Sequence, residues 1–344
     1  MFRRLARWLL LGMPTLLLAA SACHVTDMAI WSPTPNAGPA PFEVAEVRDV
    51  VYRSGPEKDP YRRRVDLFLP KGQRGFPVVV LVHGGAWIIG DNRCCGLYSS
   101  VGQFLASQGI GAILPNYRLS PGVTHPAHVE DIAQAVAWAK KHIVEYGGRP
   151  DQIFLVGHSA GGHLVTLLAT DDRYLIAQGL TTDDIRGVVA VSGVYHLPPG
   201  PVHGTLGGSS AQAFHVDEVI PVRGTSPVPK RAAWPTMSLD LNLYGMAFGD
   251  DPRVREDASP LNHVHPRLPP FLLINADNEL PTLAGMTEEF QRALLAAGCD
   301  VRVMRIPDRN HSSVMFHAVS SDDPVAVGIL SFIRELSGPY AGAR

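Results

Sequence analysis

One pentapeptide limits the fold more than any other stretch of the chain. Gly157-His158-Ser159-Ala160-Gly161 directly follows the apolar run 153–156 and runs straight into the helix-forming stretch 160–169. A serine set between small residues at a strand-to-helix junction sits on a turn too tight for bulky neighbours. The turn pushes the hydroxyl out above the strand end, and the positive end of the following helix lies beneath it. The five-residue pattern alone occurs often by chance. A strand before it and a helix after it make it a nucleophile elbow, with Ser159 as the nucleophile.

The remainder of the chain supplies a sheet to carry that turn. Its 344 residues suit one large α/β domain, expected over residues 42–338. Short apolar runs at 77–82, 110–114, 153–156, 188–191, 271–274 and 301–306 read as strands buried on both faces. Residues 44–52 and 63–69 alternate polar and apolar, as an antiparallel edge pair does. Helical periodicity at 127–146, 160–169, 282–297 and 323–336 separates the later strands. Strands alternating with helices give an α/β class, with a mostly parallel central sheet and helices on both faces. Residues 197–251, rich in Pro, Gly and Ser, break the rhythm. They are read as an insertion over the carboxyl edge of the sheet, where open α/β sheets bind ligands.

The N-terminus reads as an address. Arg3, Arg4 and Arg7 precede an apolar run that ends at Ala20-Ser21-Ala22-Cys23, the pattern of a signal peptide over 1–22 cleaved after Ala22. The same bond is cut in a bacterial lipoprotein, with Cys23 then carrying lipid, and the sequence leaves both outcomes open. Either one places the protein outside the cytoplasm, with no membrane attachment beyond the leader or that lipid. Residues 23–41, proline-rich, read as a tether. A net charge of -2 provides no basic field for nucleic acid. Cys94, Cys95 and Cys299 have no zinc-site spacing and are read as free thiols or as one long-range disulfide. His263 and His265 have an i, i+2 spacing on a predicted strand but lack a third ligand, so no metal is expected.

His83-Gly84-Gly85-Ala86-Trp87, at the end of run 77–82, is the second chemical signal. Consecutive glycines let backbone N–H groups turn toward a ligand; with Ala160 N–H, those of Gly84 and Gly85 are expected to hold an oxyanion. His83 is read as structural. A serine triad on this kind of sheet runs Ser, acid, His along the chain. His311, just past the last strand run, is the expected base, with His317 as its rival.

Together, the His83–Trp87 and Gly157–Gly162 motifs resemble the HGGxW esterase branch of the α/β-hydrolases. That branch includes carboxylesterases, feruloyl-esterase-like proteins, kynurenine formamidases and isoprenylcysteine methylesterases. The stretches Gly84–Gly90 and Glu145–Gly148 are most similar to the methylesterases, and Asn116-Tyr117-Arg118-Leu119 also fits the family. The likeness runs over about 44–336 and thins across the insertion. It implies an α/β-hydrolase fold, a small ester as substrate and no cofactor. In the family the turn after the penultimate strand commonly reads Gly-x-x-Asp. Laying Ala276 on that glycine puts Glu279 at the acid position, with Asp277 as runner-up. Trp87 and Tyr117 are expected to line the substrate pocket. The resemblance implies a serine carboxylesterase for small or aryl esters. An amidase, formamidase or peptidase with the same triad is the first alternative, and a catalytically silent binding protein of the cell envelope the second. Oligomeric state is not legible.

Overall fold

The computed structural model describes residues 42–55, 59–199, 205–206, 239–240 and 242–337. The expected leader at 1–22, the tether with Cys23 and most of the insertion lie outside these residues. The strands are β1 (Val44–Val51), β2 (Arg64–Pro70), β3 (Phe76–Val82), β4 (Gly111–Pro115), β5 (Gly148–His158), β6 (Gly187–Val191), β7 (Thr205–Leu206), β8 (Leu239–Asp240), β9 (Phe271–Asn278) and β10 (Val301–Asn310). Eight of them form one sheet in the order β1-β2-β4-β3-β5-β6-β9-β10, and β7 pairs with β8 alone. From β4 to β10 all neighbours are parallel, whereas β1 and β2 add an antiparallel edge.

Side chains of a strand point alternately to the two faces, and the two cores follow that alternation. Val78, Val80 and Val82 join Ile153 and Leu155 on one face, while Val79 and Leu81 join Phe154 and Val156 on the other. Helices α2 (Ala127–His142), α3 (Ala160–Thr170) and α5 (Leu283–Ala296) cover the first face through Val129, Leu164 and Phe290. Helices α1 (Leu97–Ser107) and α6 (Pro324–Ser337) cover the second through Val101, Phe104 and Ile329. Each large apolar side chain taken fully from water contributes roughly 1.5–3 kcal/mol. The continuous apolar runs are therefore what fix these strands at the centre.

The order of strands positions the site. The crossover from β3 through α1 leads to β4 on one side, and that from β4 through α2 returns to β5 on the other side of β3. A parallel sheet that reverses its winding in this way opens a crevice at the carboxyl ends of the diverging strands. The loop after β3 and the elbow after β5 both lie at that crevice.

One expectation is filled in and one needs correction. The end of the insertion packs on the core: the helix α4 (Leu243–Phe248) buries Ala247 and Phe248. The fully buried Arg255 guanidinium then donates to the carbonyls of Pro198 and Gly249, 2.9 Å each, closing the two roots of the excursion together. His263 lies in the 3-10 turn Pro260–His263 rather than on a strand, and its Nε2 donates to Asp257 O at 2.7 Å. Cys94, Cys95 and Cys299 are free thiols.

Candidate active site

The elbow forms because nothing larger than glycine fits on either side of it. A Cβ at Gly157 would meet Gly161 O at 2.3 Å, and one at Gly161 would meet Val82 O at 2.1 Å. Backbone atoms cannot yield to such contacts. Ser159 itself has φ 55 and ψ -120, a conformation side chains rarely adopt. Its N–H donates to Val191 O at 2.9 Å, which holds the turn against β6. Helix α3 begins at the next residue, so Ala160 N–H has no acceptor within the helix.

Three residues distant in the chain meet at this point. His311, directly after β10, brings Nε2 to 2.9 Å from Ser159 Oγ. Its Nδ1 lies 2.6 Å from Oε1 of Glu279, directly after β9. A carboxylate only accepts, so Nδ1 carries the proton and Nε2 offers its lone pair to the serine hydroxyl. Burial pushes the Glu279 carboxyl up, but hydrogen bonds from His311, Ser192 and the Leu280 N–H outweigh it and hold the group below the usual range. Glu279 is thus an anion placed to stabilise an imidazolium. Asp277 points elsewhere: it is half exposed and accepts from Arg305 Nε at 2.9 Å. The rival base His317 turns its Nδ1 to Ser313 O at 2.9 Å.

Sequence reasoning missed Ser192. It follows β6, is fully buried at φ 50, and donates from Oγ to Glu279 Oε2 at 2.5 Å. A polar residue at the carboxyl end of the strand beside the acid-bearing one was the available signal. The carboxylate is therefore held on both oxygens.

The loop after β3 differs from expectation at one atom. Gly84 N–H, expected to hold an oxyanion, instead donates to Tyr98 Oη at 2.8 Å. Gly85, Ala86 and Trp87 follow at positive φ values of 115, 50 and 62. This turn is held by Ile88 and Ile89 N–H on Gly85 O and by Ser120 N–H on Trp87 O. Gly85 and Ala160 remain as the expected backbone donors.

Trp87 and Tyr117, expected to line the pocket, are both buried among packed side chains. Tyr117 is fully buried, stacks on His83 at 4.3 Å and donates to His83 O at 3.1 Å. Trp87 is only 3% exposed, packs edge-on against His163 and Phe248, and donates from Nε1 to His163 Nδ1 at 3.2 Å. Both support the loop from below. His83 is structural: Nδ1 donates to Gly84 O at 2.7 Å, and burial lowers the ring to about 4, so it stays neutral.

Comparison with known proteins bears on the family and the fold. A family profile described as BD-FAE matches residues 65–292. The curated esterase LipQ of Mycobacterium tuberculosis (strain ATCC 25618 / H37Rv) is 28% identical over 89% of this chain and 66% of its own length. The probable isoprenylcysteine alpha-carbonyl methylesterase ICMEL1 of Arabidopsis thaliana is 25% identical over 97% of this chain and 62% of its own length. The chain thus spans slightly less than two thirds of these relatives. Among solved structures, an inhibited esterase B from Lactobacillus rhamnosis aligns over 94% of this chain and 95% of its own, with a TM-score of 0.68 at 20% identity, and shares the fold.

Proposed function

Because this chain belongs to the BD-FAE family, within the α/β-hydrolases, we propose that it is a serine carboxylesterase working through Ser159, His311 and Glu279 on small or aryl esters. The observation that carries the proposal is the continuous pair of contacts, 2.9 Å from Ser159 Oγ to His311 Nε2 and 2.6 Å from His311 Nδ1 to Glu279 Oε1. In the first step the Ser159 hydroxyl proton passes to Nε2 while Oγ bonds to the ester carbonyl carbon. The carbonyl electron pair moves onto oxygen and is held by Gly85 and Ala160 N–H at the helix end. When the intermediate collapses, the C–O bond to the alcohol breaks and Nε2 returns its proton to the departing oxygen. Water then repeats the sequence on the acyl-enzyme and releases the acid. Each oxyanion donor is worth roughly 3 kcal/mol of transition-state stabilisation. The relatives named as esterases support an ester rather than an amide bond. Export through the leader at 1–22 is part of the same proposal, and N-terminal sequencing of the cell-envelope protein tests it.

The test is hydrolysis of p-nitrophenyl acetate and butyrate by wild type, Ser159→Ala, Glu279→Gln and Asp277→Asn, with a matching anilide alongside. Glu279→Gln should lose about a thousandfold or more in kcat, because an amide N–H facing Nδ1 selects the wrong imidazole tautomer. Asp277→Asn should stay within about twofold, since only Arg305 loses a partner. Activity that survives in Glu279→Gln and falls in Asp277→Asn would move the acid. A wild-type protein inert to the esters and to fluorophosphonate would sink the enzyme reading and favour a silent scaffold.

A further inference from the structure

A second chain of hydrogen bonds runs under the site without touching the reacting atoms. Gly84 N–H donates to Tyr98 Oη at 2.8 Å, Tyr98 Oη lies 3.0 Å from His158 Nδ1, and His158 Nε2 lies 2.8 Å from His311 O. The proton positions follow from chemistry. A carbonyl oxygen only accepts, so Nε2 of His158 carries the hydrogen. Burial, followed by the neighbouring His311, lowers the His158 ring to about 3, so it is neutral and Nδ1 is bare. Tyr98 must then donate to Nδ1 and accept from Gly84. All three bonds point the same way, and bonds aligned in this manner reinforce one another in a buried setting.

The ends of the chain are what matter. It begins at the peptide before the oxyanion donor Gly85 and ends at the peptide of the base, and between them it passes through the residue just before the nucleophile. Three loops, after β3, β5 and β10, are joined by two side chains. Gly84 is also pressed on the elbow: a Cβ there would meet His158 O and Tyr98 Oη at 3.0 Å and Ser159 Cβ at 3.1 Å. Tyr98 is itself firmly seated. It lies in the first turn of α1, and the residues leading into that helix are pinned by Arg93 to Asp66 at 2.6 Å and by Asn92 to Leu114 O at 2.9 Å.

We infer that Tyr98 and His158 are positioning residues that hold the oxyanion loop and the His311 base in register with Ser159, and so act on the transition state rather than on ester binding. This rests on the esterase reading above. A displacement of about 1 Å in a reacting group can cost a hundredfold in rate. Tyr98→Phe keeps the ring and removes only the hydroxyl, and should lower kcat ten- to a hundredfold with KM within about twofold. The Ki of a trifluoromethyl ketone, which places an oxyanion in the site, should rise by the same factor as kcat/KM falls.

The measurement uses the full chain, with rates referred to the Ser159 titre from exhaustive fluorophosphonate labelling, so unfolded protein does not count. His158→Gln, which keeps a donor for His311 O but not the imidazole geometry, should give the same split and stands in if Tyr98→Phe does not fold. Turnover within twofold of wild type in these variants, or a loss carried by KM alone, overturns the positioning role and leaves the esterase reading standing. A wild-type chain that fluorophosphonate does not label at Ser159 overturns the esterase reading and the positioning role with it.

Discussion

Four imidazoles around the site, those of His83, His128, His158 and His163, are at most 4% exposed. Desolvation lowers His83 to about 4 and the other three to about 3, against 6.5 for the free side chain. In the unfolded chain these rings take up protons as pH falls through 6.5; in the native protein they do not until far lower. Between those limits the unfolded state binds more protons, so stability drops as pH drops. One unit below the unfolded value, near pH 5.5, each ring has cost about 1.4 kcal/mol, and the four together about 5–6 kcal/mol. A domain is typically stable by only about 5–15 kcal/mol, so acid unfolding is expected near or a little below that pH. Glu279 adds nothing in this window, because its contribution is lost only below the usual carboxylate range of about 4.5. Urea unfolding followed by tryptophan fluorescence at pH 8, 7, 6 and 5.5 measures the effect. The slope should approach the uptake of four protons, and His128→Gln should reduce it by about one. Stability that stays flat from pH 7 to 5.5 would refute the reasoning, since neutral buried rings cannot be indifferent to acid in the unfolded state.

Two further outcomes follow from single contacts. Ser192→Ala should lower kcat about tenfold and leave KM near wild type, because Glu279 loses a charge-assisted bond worth roughly 1.5 kcal/mol or more; steady-state kinetics on p-nitrophenyl butyrate checks it. Arg255→Met should destabilise by roughly 1–3 kcal/mol, seen as a lower urea midpoint, because the half-buried carbonyls of Pro198 and Gly249 lose their donor.

The sequence made some parts of this molecule plain and hid others for physical reasons. Central strands were legible because burial on both faces demands unbroken apolar runs such as 77–82. Their carboxyl ends were not: β9 and β10 continue through polar residues to Asn278 and Asn310, which pair with each other. Backbone pairing at the rim of a sheet does not need apolar side chains. Helix α1 was missed because Leu97–Ser107 has three serines and a glycine interspersed among its apolar positions. It is held instead by packing Tyr98, Val101, Phe104 and Leu105 against the sheet. Ser159 and His311 were legible because turn sterics and chain order constrain them. Glu279 came through resemblance alone, since nothing local separates it from Asp277 until Arg305 is seen to occupy the latter. The misassigned Gly84 donor depended on the hydroxyl of Tyr98, fourteen residues along the chain, on the helix that was overlooked.

The contact between Ser159 and His311 joins positions 152 residues apart, across four parallel strands. A bond of that reach cannot form locally, and closing it needs the β5, β6, β9 and β10 ladder to be complete. During synthesis the chain therefore has its proposed nucleophile long before it has its proposed base. On the proposed mechanism, a nascent or partly folded molecule carries an ordinary, unreactive hydroxyl, and hydrolytic power arrives only with the final strand of the sheet. Recovery of activity during refolding then reports completion of the whole sheet, and it should lag behind the return of helical signal.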